Sequence, residues 1–188
     1  MSEAVSALPG AEYAGAVTVR EAGLRGMITV RGDLGSAAMK EAVKAATGYV
    51  VPDQRGVKSK GEKGVAWMSP DELLILVPYA EAEPAVAKMQ DALAGEHSLV
   101  VNVSDARAVF TLTGAGWREV LAKGAPGDIA PDAFGQGEAR RTRIGQIAAA
   151  FWISGEEEVT IVCFRSVAEF MFEWLSTASR EGSLPGYF

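Results

Sequence analysis

This sequence has one cysteine and one histidine in 188 residues, which is too few for the usual metal and nucleophile chemistry. Cys163 has no second cysteine with which to form an internal disulfide, and it lies in an apolar run, so we expect a buried structural thiol. With only His97 beside it, a zinc or haem site has no supply of ligands, and we predict no metal. A serine triad would need His97 as its base, and we expect that imidazole to lie in an exposed loop.

Long apolar runs and an excess of positive charge are also missing. No stretch approaches the ~18 apolar residues of a membrane helix, and Glu3 and Glu12 stand where a targeting segment would be basic. The formal net charge of -6 disfavours nucleic-acid binding, because that binding depends on clustered Lys and Arg. A hydrophobic content of 48% supports a folded core. We therefore expect a cytoplasmic protein with no nucleic acid and no membrane among its partners.

Nucleotide-binding fingerprints fail at defined positions. Gly114 and Gly116 stand where a dinucleotide-binding turn would begin, but the third glycine position holds Glu119, whose carboxylate would oppose a pyrophosphate. The Walker pattern does not occur. Three consecutive acids at 156–158 resemble the paired carboxylates of an acid–base site. Because they fall at an expected hairpin tip, we predict that they are solvated. The sequence thus predicts no catalytic, cofactor-binding or metal-binding residue in this chain.

The second half of the chain repeats the plan of the first half. A strand pattern at 27–32, a helical stretch, an aromatic hairpin at 65–77 and an amphipathic segment ending near Leu93 have counterparts at 108–114, 150–162 and a helix through Leu175. This predicts an α+β fold of duplicated strand-helix-hairpin-helix units with antiparallel sheets. We expect an N-terminal arm at 1–23, a single duplicated domain at 24–180 with halves at about 24–98 and 99–180, and a C-terminal tail at 181–188.

Two helices have start signals. Ser36 is placed to cap a helix that runs through Ala46. Ser166 and Glu169 have the spacing of a capping box before the last helix. The apolar positions of that helix share one face; they are Val167, Phe170, Met171, Trp174, Leu175 and Ala178. This stripe is either core or a partner-facing seam.

A basic, glycine-containing segment at 53–64 carries Lys58, Lys60 and Lys63 with almost no large apolar residue. The composition predicts a mobile basic loop. Such a loop is either a solvated surface or a docking loop for an acidic partner surface. The three lysines are therefore candidates for a partner interface.

The densest positive charge lies at Arg140, Arg141 and Arg143, just before the second hairpin. A strand there would place Arg141 and Arg143 on one face and Arg140 on the other. Three interpretations stay open: a solvated strand entry, a bidentate clamp on partner carboxylates, or a site for an anionic ligand such as the glutamate of folate. These arginines complete the set of candidate interface residues.

Several short segments together resemble a known family. They are Val101-Asn102-Val103-Ser104, Phe110-Thr111-Leu112-Thr113-Gly114, Leu121, Asp128-Ile129, Phe134-Gly135-Gln136-Gly137, Arg140-Arg141-Thr142-Arg143, Phe151-Trp152 and Phe170-Met171-Phe172-Glu173-Trp174-Leu175. The arrangement resembles the aminomethyltransferase folate-binding fold. More specifically, it is similar to the gamma subunit family of heterotetrameric sarcosine oxidase. The similarity covers roughly residues 24–180.

This resemblance implies a bacterial complex that oxidises sarcosine to glycine, transfers the one-carbon unit to tetrahydrofolate and reduces oxygen to peroxide. It also implies that the partners are the alpha, beta and delta subunits, and that FAD, FMN, NAD, folate and zinc belong to them. Within such a heterotetramer this chain would be a structural, assembly subunit without catalytic residues. Which N-methyl amino acid the complex oxidises does not follow from this chain.

The alternative is a stand-alone folate-binding protein of one-carbon transfer. In the related aminomethyltransferases an acid near the folate pocket supports the chemistry, and the position suggested by the resemblance here is Asn102, a neutral amide. Convergence of Asn102, the arginine cluster and Trp67 or Trp152 on one pocket would favour this alternative.

Overall fold

The computed structural model describes residues 3–188. These divide into two compact units, one formed by residues 24–105 and the other by residues 3–23 together with 106–188. Each unit has one antiparallel sheet and two α-helices. The expected α+β class with antiparallel sheets is therefore confirmed.

Eleven strands and four α-helices lie in the described residues. In chain order they are β1 (Glu12–Ala14), β2 (Thr18–Glu21), β3 (Gly26–Arg31), α1 (Ala37–Thr47), β4 (Val57–Lys60), β5 (Lys63–Ser69), β6 (Glu72–Val77), α2 (Ala82–Ala92), β7 (Leu99–Asn102), β8 (Arg107–Thr113), α3 (Trp117–Ala122), β9 (Ala139–Ile144), β10 (Ile147–Gly155), β11 (Glu158–Phe164) and α4 (Ala168–Ala178). No helix among residues 3–188 has the length and apolar character needed to cross a bilayer.

The unit of residues 24–105 has a five-stranded sheet in the order β4-β5-β6-β3-β7. Its core combines inward residues of the sheet with the buried faces of α1 and α2, including Ile28, Ile75, Met39 and Met89. Helix α1 begins as predicted, because the Ser36 hydroxyl accepts the Met39 N–H at 3.1 Å. It ends at Gly48, whose φ of 82° is the left-handed conformation that glycine adopts without strain.

The other unit has a six-stranded sheet in the order β1-β2-β8-β11-β10-β9. Phe110, Phe134 and Phe151 are fully buried in its core. Strand β10 is buried on both faces, since Phe151 and its neighbour Trp152 are 0% and 2% exposed. This explains why the sequence there is continuously apolar and does not alternate.

The first residues differ from the expected loose arm. From residue 3 onward, as far as the structure describes this segment, they include β1 and β2, and β2 pairs with β8 along Thr18–Glu21. The buried Glu21 carboxylate accepts hydrogen bonds from Ser6 Oγ and the Gly23 N–H, both at 3.0 Å. Residues 1 and 2 of the expected arm lie outside the described residues. These strands were not predicted because both are short and because β2 pairs with a distant segment, β8.

The boundary between the units also differs from the expected halves at 24–98 and 99–180. Strand β7, at the expected start of the second half, is instead the edge strand of the first sheet beside β3. The division falls after residue 105. The reason is that Leu99–Asn102 completes the sheet that contains β3. The boundary between the units therefore lies one strand later in the chain than the boundary between the sequence repeats.

The last helix was predicted correctly in position but not in its start or its face. It begins after a 3-10 turn at Arg165–Val167, its N-cap is Val167, and no side chain caps it. The Ser166–Glu169 capping box is therefore wrong, because the turn moves Ser166 away from the N-cap position. Met171 and Leu175 are buried, whereas Phe170 is 52% exposed, so the predicted stripe is only partly core.

Candidate partner interface

The arginine cluster lies on β9, an edge strand of the six-stranded sheet. The predicted alternation is confirmed, because Arg141 and Arg143 are exposed whereas Arg140 is half-buried. β9 is joined to β10 by a turn at Gly145, so the second hairpin expected from the sequence is a meander of three strands. The three arginines therefore do not share one face of the strand.

Arg140 is part of the interior scaffold of its unit. Its Nη2 donates to the Ala133 carbonyl oxygen at 2.7 Å and approaches Glu138 Oε2 at 3.4 Å. Its guanidinium lies 4.8 Å from the ring centroid of Phe134, close enough for a cation–π contact. These contacts commit Nη2 and one face of the guanidinium within the unit, so Arg140 is a positioning residue for the 133–138 connector.

Replacing Arg140 and Arg143 separately distinguishes these roles. We expect Arg140→Ala to lower the free energy of unfolding by about 1–2 kcal/mol, because it leaves the Ala133 carbonyl without its donor and removes the contact with Phe134. Arg143→Ala, at an exposed position of the same strand, should change it by less than about 0.5 kcal/mol. Urea unfolding of both variants measures the difference; equal losses would contradict the scaffold role of Arg140.

The basic segment at 53–64 is not the mobile loop that its composition predicted. Residues 57–60 form β4, which pairs with β5, and Lys60 faces Lys63 across a turn at Gly61. Gly61 has a φ of 61°, which glycine provides in a tight hairpin. Lys63 makes an ion pair with Glu81 at 2.9 Å, while Lys58 is half-buried and Lys60 exposed. Like β9, β4 is a basic edge strand.

The Asn102 side chain is hydrogen-bonded to neighbouring residues of its own unit. Its Nδ2 donates to Glu83 Oε1 at 2.7 Å, and its Oδ1 accepts the Ser104 hydroxyl at 2.6 Å and the Ser104 N–H at 3.0 Å. Trp67 lies on β5, separated from the strand of Asn102 by β6 and β3. Within this unit the structure does not bring together the two residues that a folate pocket would share.

Trp152, the other candidate tryptophan, lies beside the arginine strand but is closed to a ligand. It pairs with Ala139 of β9, two positions from Arg141. Its side chain is only 2% exposed. A buried ring has no open face on which a pterin could stack.

Glu119, the residue that breaks the dinucleotide fingerprint, holds the tail of the chain. Its carboxylate is buried, with Oε2 accepting the Gly186 N–H at 2.8 Å and Oε1 accepting the Phe188 N–H at 3.1 Å. The two backbone donors satisfy the hydrogen-bonding needs of this buried side chain. The acid that excludes a pyrophosphate therefore has a structural task, which its sequence position alone did not indicate.

The Cys163 thiol is buried, as the sequence predicted, and burial raises its pKa from the ordinary value of 9.0 to about 11. The thiolate is the reactive form, so at pH 8 only about one molecule in a thousand would carry it. We expect iodoacetamide to leave Cys163 unmodified in the folded protein and to alkylate it after unfolding, as measured by intact mass. Rapid alkylation of the folded chain would contradict this.

The remaining chemical candidates are scattered. His97 is exposed in the loop before β7. Glu156 and Glu157 are exposed at the tip of the β10–β11 hairpin, whereas Glu158 accepts the Ser154 hydroxyl at 2.8 Å. Among residues 3–188 no group of three or more His, Cys, Asp or Glu side chains is placed to hold a metal ion.

Sequence reasoning missed one exposed apolar pair. Leu99 and Val101 on β7 are 50% and 40% exposed, and they share one face of the edge strand. The segment was predicted as a strand, but its run Leu-Val-Val did not show which side chains would be covered. Only the strand order places these two residues at an open edge.

Comparison with known proteins gives consistent matches over most of the chain. A family model described as "Sarcosine oxidase, gamma subunit family" matches residues 31–181. The gamma subunit of sarcosine oxidase from Arthrobacter sp. is 33% identical over 174 residues, covering 92% of this chain and 84% of that protein. The gamma subunit from Corynebacterium sp. (strain U-96) is 35% identical over 186 residues, covering 95% and 87%.

Two solved structures share the fold. A chain of the heterotetrameric sarcosine oxidase from Corynebacterium sp. U-96, solved in complex with pyrrole 2-carboxylate, has a TM-score of 0.79 at 32% identity, covering 89% of this chain and 87% of that one. The glycine cleavage system aminomethyltransferase T from Bartonella henselae has a TM-score of 0.60 at 18% identity, covering 86% of this chain and 45% of that one. The second likeness concerns the fold alone.

Proposed function

Because this chain belongs to the sarcosine oxidase gamma subunit family, we propose that it is a structural, assembly subunit of a heterotetrameric sarcosine oxidase. The observation that carries the proposal is the match to a chain of such a complex, with a TM-score of 0.79 over 89% of this chain. In this proposal the chain adds binding surfaces to the complex and leaves the oxidation of sarcosine to other subunits.

Three polar or reactive residues support a structural role. The Asn102 amide bonds to Glu83 and Ser104, the Glu119 carboxylate holds the tail, and the pKa of Cys163 is raised by burial. A catalytic group needs a free atom directed at a substrate and a pKa near the working pH. These side chains are instead committed to hydrogen bonds or to the core.

The partners in this proposal are the alpha, beta and delta subunits, and FAD, FMN, NAD, folate and zinc are carried there. The complex would oxidise sarcosine to glycine, pass the one-carbon unit to tetrahydrofolate and form peroxide. The cytoplasmic location expected from the sequence stays a prediction, as does the assignment of each cofactor.

The basic residues remain candidates for contact with acidic partner surfaces, in unequal degree. Arg141, Arg143 and Lys60 are exposed, and Lys58 is half-buried. Arg140 and Lys63 already have acidic or carbonyl partners in this chain. A docking role for the basic set therefore rests on β9 and β4, and it stays a prediction.

We also propose that the two units descend from one duplicated unit, with a fold like that of the aminomethyltransferase folate-binding family. The support is their strand order. The strand order is β4-β5-β6-β3-β7 in one sheet, and it corresponds strand by strand to β9-β10-β11-β8-β2 in the other. In both units a helix follows the first of these strands in the chain, β3 or β8, and a second helix follows the three strands that come next. The position of β7 is taken by β2, which comes from the start of the chain.

The test compares the other subunits of the same oxidase expressed together with this chain and expressed without it. We expect the chain to co-elute with them in size exclusion, and its omission to reduce assembly and sarcosine-dependent peroxide production. Tetrahydrofolate added to the isolated chain in a calorimeter should give no binding heat.

Two outcomes would contradict the proposal. One is a chain that elutes alone while the other subunits assemble and work equally well without it. The other is tight tetrahydrofolate binding by the isolated chain, which would favour the stand-alone one-carbon transfer protein.

A further inference from the structure

The two sheets have four edge strands in the described residues: β1 and β9 in one, β4 and β7 in the other. An edge strand presents unpaired N–H and C=O groups to which another strand can add. Proteins block unwanted addition with charged side chains, with short strands or with a cover. The four edges can therefore be compared by what protects each of them.

Three of the edges carry such protection. β1 has only three residues, and its Glu12 makes an ion pair with Arg20 at 2.9 Å. β9 presents Arg141 and Arg143, and β4 presents Lys58 and Lys60. Charged side chains on an edge discourage addition of a further strand.

The fourth edge, β7, has no charged residue of its own. Its residues are Leu-Val-Val-Asn, without a charge, and Leu99 and Val101 are 50% and 40% exposed. Val100 faces the other way and is 4% exposed in the core. The strand thus presents two large apolar side chains on one face next to its open backbone.

The backbone of β7 has groups directed outward. Val103 donates its N–H to the Met27 carbonyl at 2.8 Å, and in an antiparallel ladder hydrogen-bonded pairs recur at every second residue. Leu99 and Val101 therefore bond to β3, whereas Val100 and Asn102 direct their N–H and C=O groups to the open side. The outward Val100 carbonyl is occupied in this chain by Gln90 Nε2 at 2.9 Å, so an added strand would replace this side-chain donor with a backbone N–H.

The charge around β7 is acidic. The Glu83 carboxylate accepts the Asn102 side-chain amide, Glu96 before the strand accepts the Ser36 hydroxyl at 2.7 Å, and Asp105 after it accepts the Tyr79 hydroxyl at 3.0 Å. Arg31, which pairs with Leu99 across the ladder, is neutralised by Asp71. A segment that lies along this edge would be matched by basic residues near its ends.

We propose that β7 receives an extended segment of another subunit of the oxidase, which pairs along Val100 and Asn102 as a sixth strand. Its apolar side chains pack on Leu99 and Val101, and its Lys or Arg residues face Glu83, Glu96 and Asp105. Main-chain hydrogen bonds give such strand addition its affinity, and alternate side chains give its specificity. This inference rests on the proposed assembly function.

The test uses Val101→Lys in the co-expressed complex, with Val50→Lys as the matched control. Val50 is 54% exposed between α1 and β4, so both variants place a lysine at an exposed valine of the same unit. We expect Val101→Lys to weaken binding to the other subunits at least about tenfold, because it puts a charge into the apolar contact. Val50→Lys should change binding less than about twofold. Circular dichroism and melting curves of the isolated variants verify that both are folded.

Hydrogen exchange of the wild-type complex gives a readout specific to strand addition. The amides of Val100 and Asn102 should be slowed at least about tenfold on assembly, whereas those of Leu99 and Val101 are already bonded to β3. If wild type assembles but Val101→Lys assembles equally well, or these two amides stay unprotected, strand addition is overturned while the assembly function stands. Pairing of β7 with a second copy of this chain, with no other subunit on it, would overturn it too. Failure of the wild-type chain to join the complex would contradict the assembly function itself.

Discussion

Replacing Phe134 with alanine is expected to lower the free energy of unfolding by about 3–5 kcal/mol. The Phe134 side chain is fully buried, and its ring meets Trp117 and Phe151 edge-to-face, with centroids 6.3 and 5.5 Å apart. The Arg140 and Arg118 guanidinium groups also lie near this ring, at 4.8 and 5.9 Å. Truncation therefore leaves a cavity and removes two cation–π contacts together.

Phe170→Ala is the control for this truncation, because Phe170 is 52% exposed in the same unit. It should cost less than about 1 kcal/mol. Urea unfolding followed by tryptophan fluorescence is suitable, since Trp117, Trp152 and Trp174 all lie in this unit. A loss for Phe134→Ala no greater than for Phe170→Ala would show that the aromatic cluster does not organise the core.

Gly15→Ala is expected to destabilise the same unit by about 3 kcal/mol, the upper end of overpacking effects. A Cβ on Gly15 would lie 2.2 Å from the Ser179 carbonyl oxygen and 2.7 Å from Tyr13 Cε1. A backbone carbonyl cannot turn aside as a long side chain can. The clash would also separate the Ala16 N–H from Ser179 O, which it bonds at 2.8 Å, and so detach the β1–β2 turn from the end of α4.

Gly127→Ala provides the matched control, since a Cβ added there would have no atom within 4 Å and the φ of Gly127 needs no glycine. It should be neutral or slightly stabilising, because alanine restricts the unfolded chain. Thermal melts of the two variants, with limited proteolysis of residues 3–23, test the prediction. A Gly15→Ala protein as stable as Gly127→Ala would mean that the turn does not pack on Ser179 in solution.

Local sequence signals were enough for the elements that local chemistry defines. Ser36 caps α1 as predicted. The hairpin of β5 and β6 and the strand of Arg141 and Arg143 follow from turn residues and alternation. These predictions depend on neighbours a few positions away, and the structure agrees with them.

Three other predictions failed, for different reasons. The short strand β2 has no strong pattern of its own and exists because β8 offers it a free edge. The Lys58–Lys63 segment looks like a loop by composition, although Gly61 at a positive φ marks a hairpin turn. Phe170 fits the helical period of the core face, yet its position along the helix leaves it exposed.

The candidate interface was predictable only in part. Alternation correctly separated Arg140 from Arg141 and Arg143, but it could not show that Arg140 is bonded to Ala133. That Asn102 carries a neutral amide is plain from the sequence, while its bond to Glu83 needed the packing of α2 beside β7. The exposure of Val101 depends on which strand forms the sheet edge, and that is not a property of the local sequence.

The discontinuous unit, built from residues 3–23 and 106–188, constrains how the protein is made. During synthesis at about 5–20 residues per second, β1 and β2 leave the ribosome long before their partner β8 exists. The contiguous residues 24–105 can fold in the meantime, so the nascent chain carries an unpaired hairpin on an already folded neighbour. Misfolding of the nascent chain, and its need for chaperones, should therefore be greatest in the interval before β8 emerges from the ribosome.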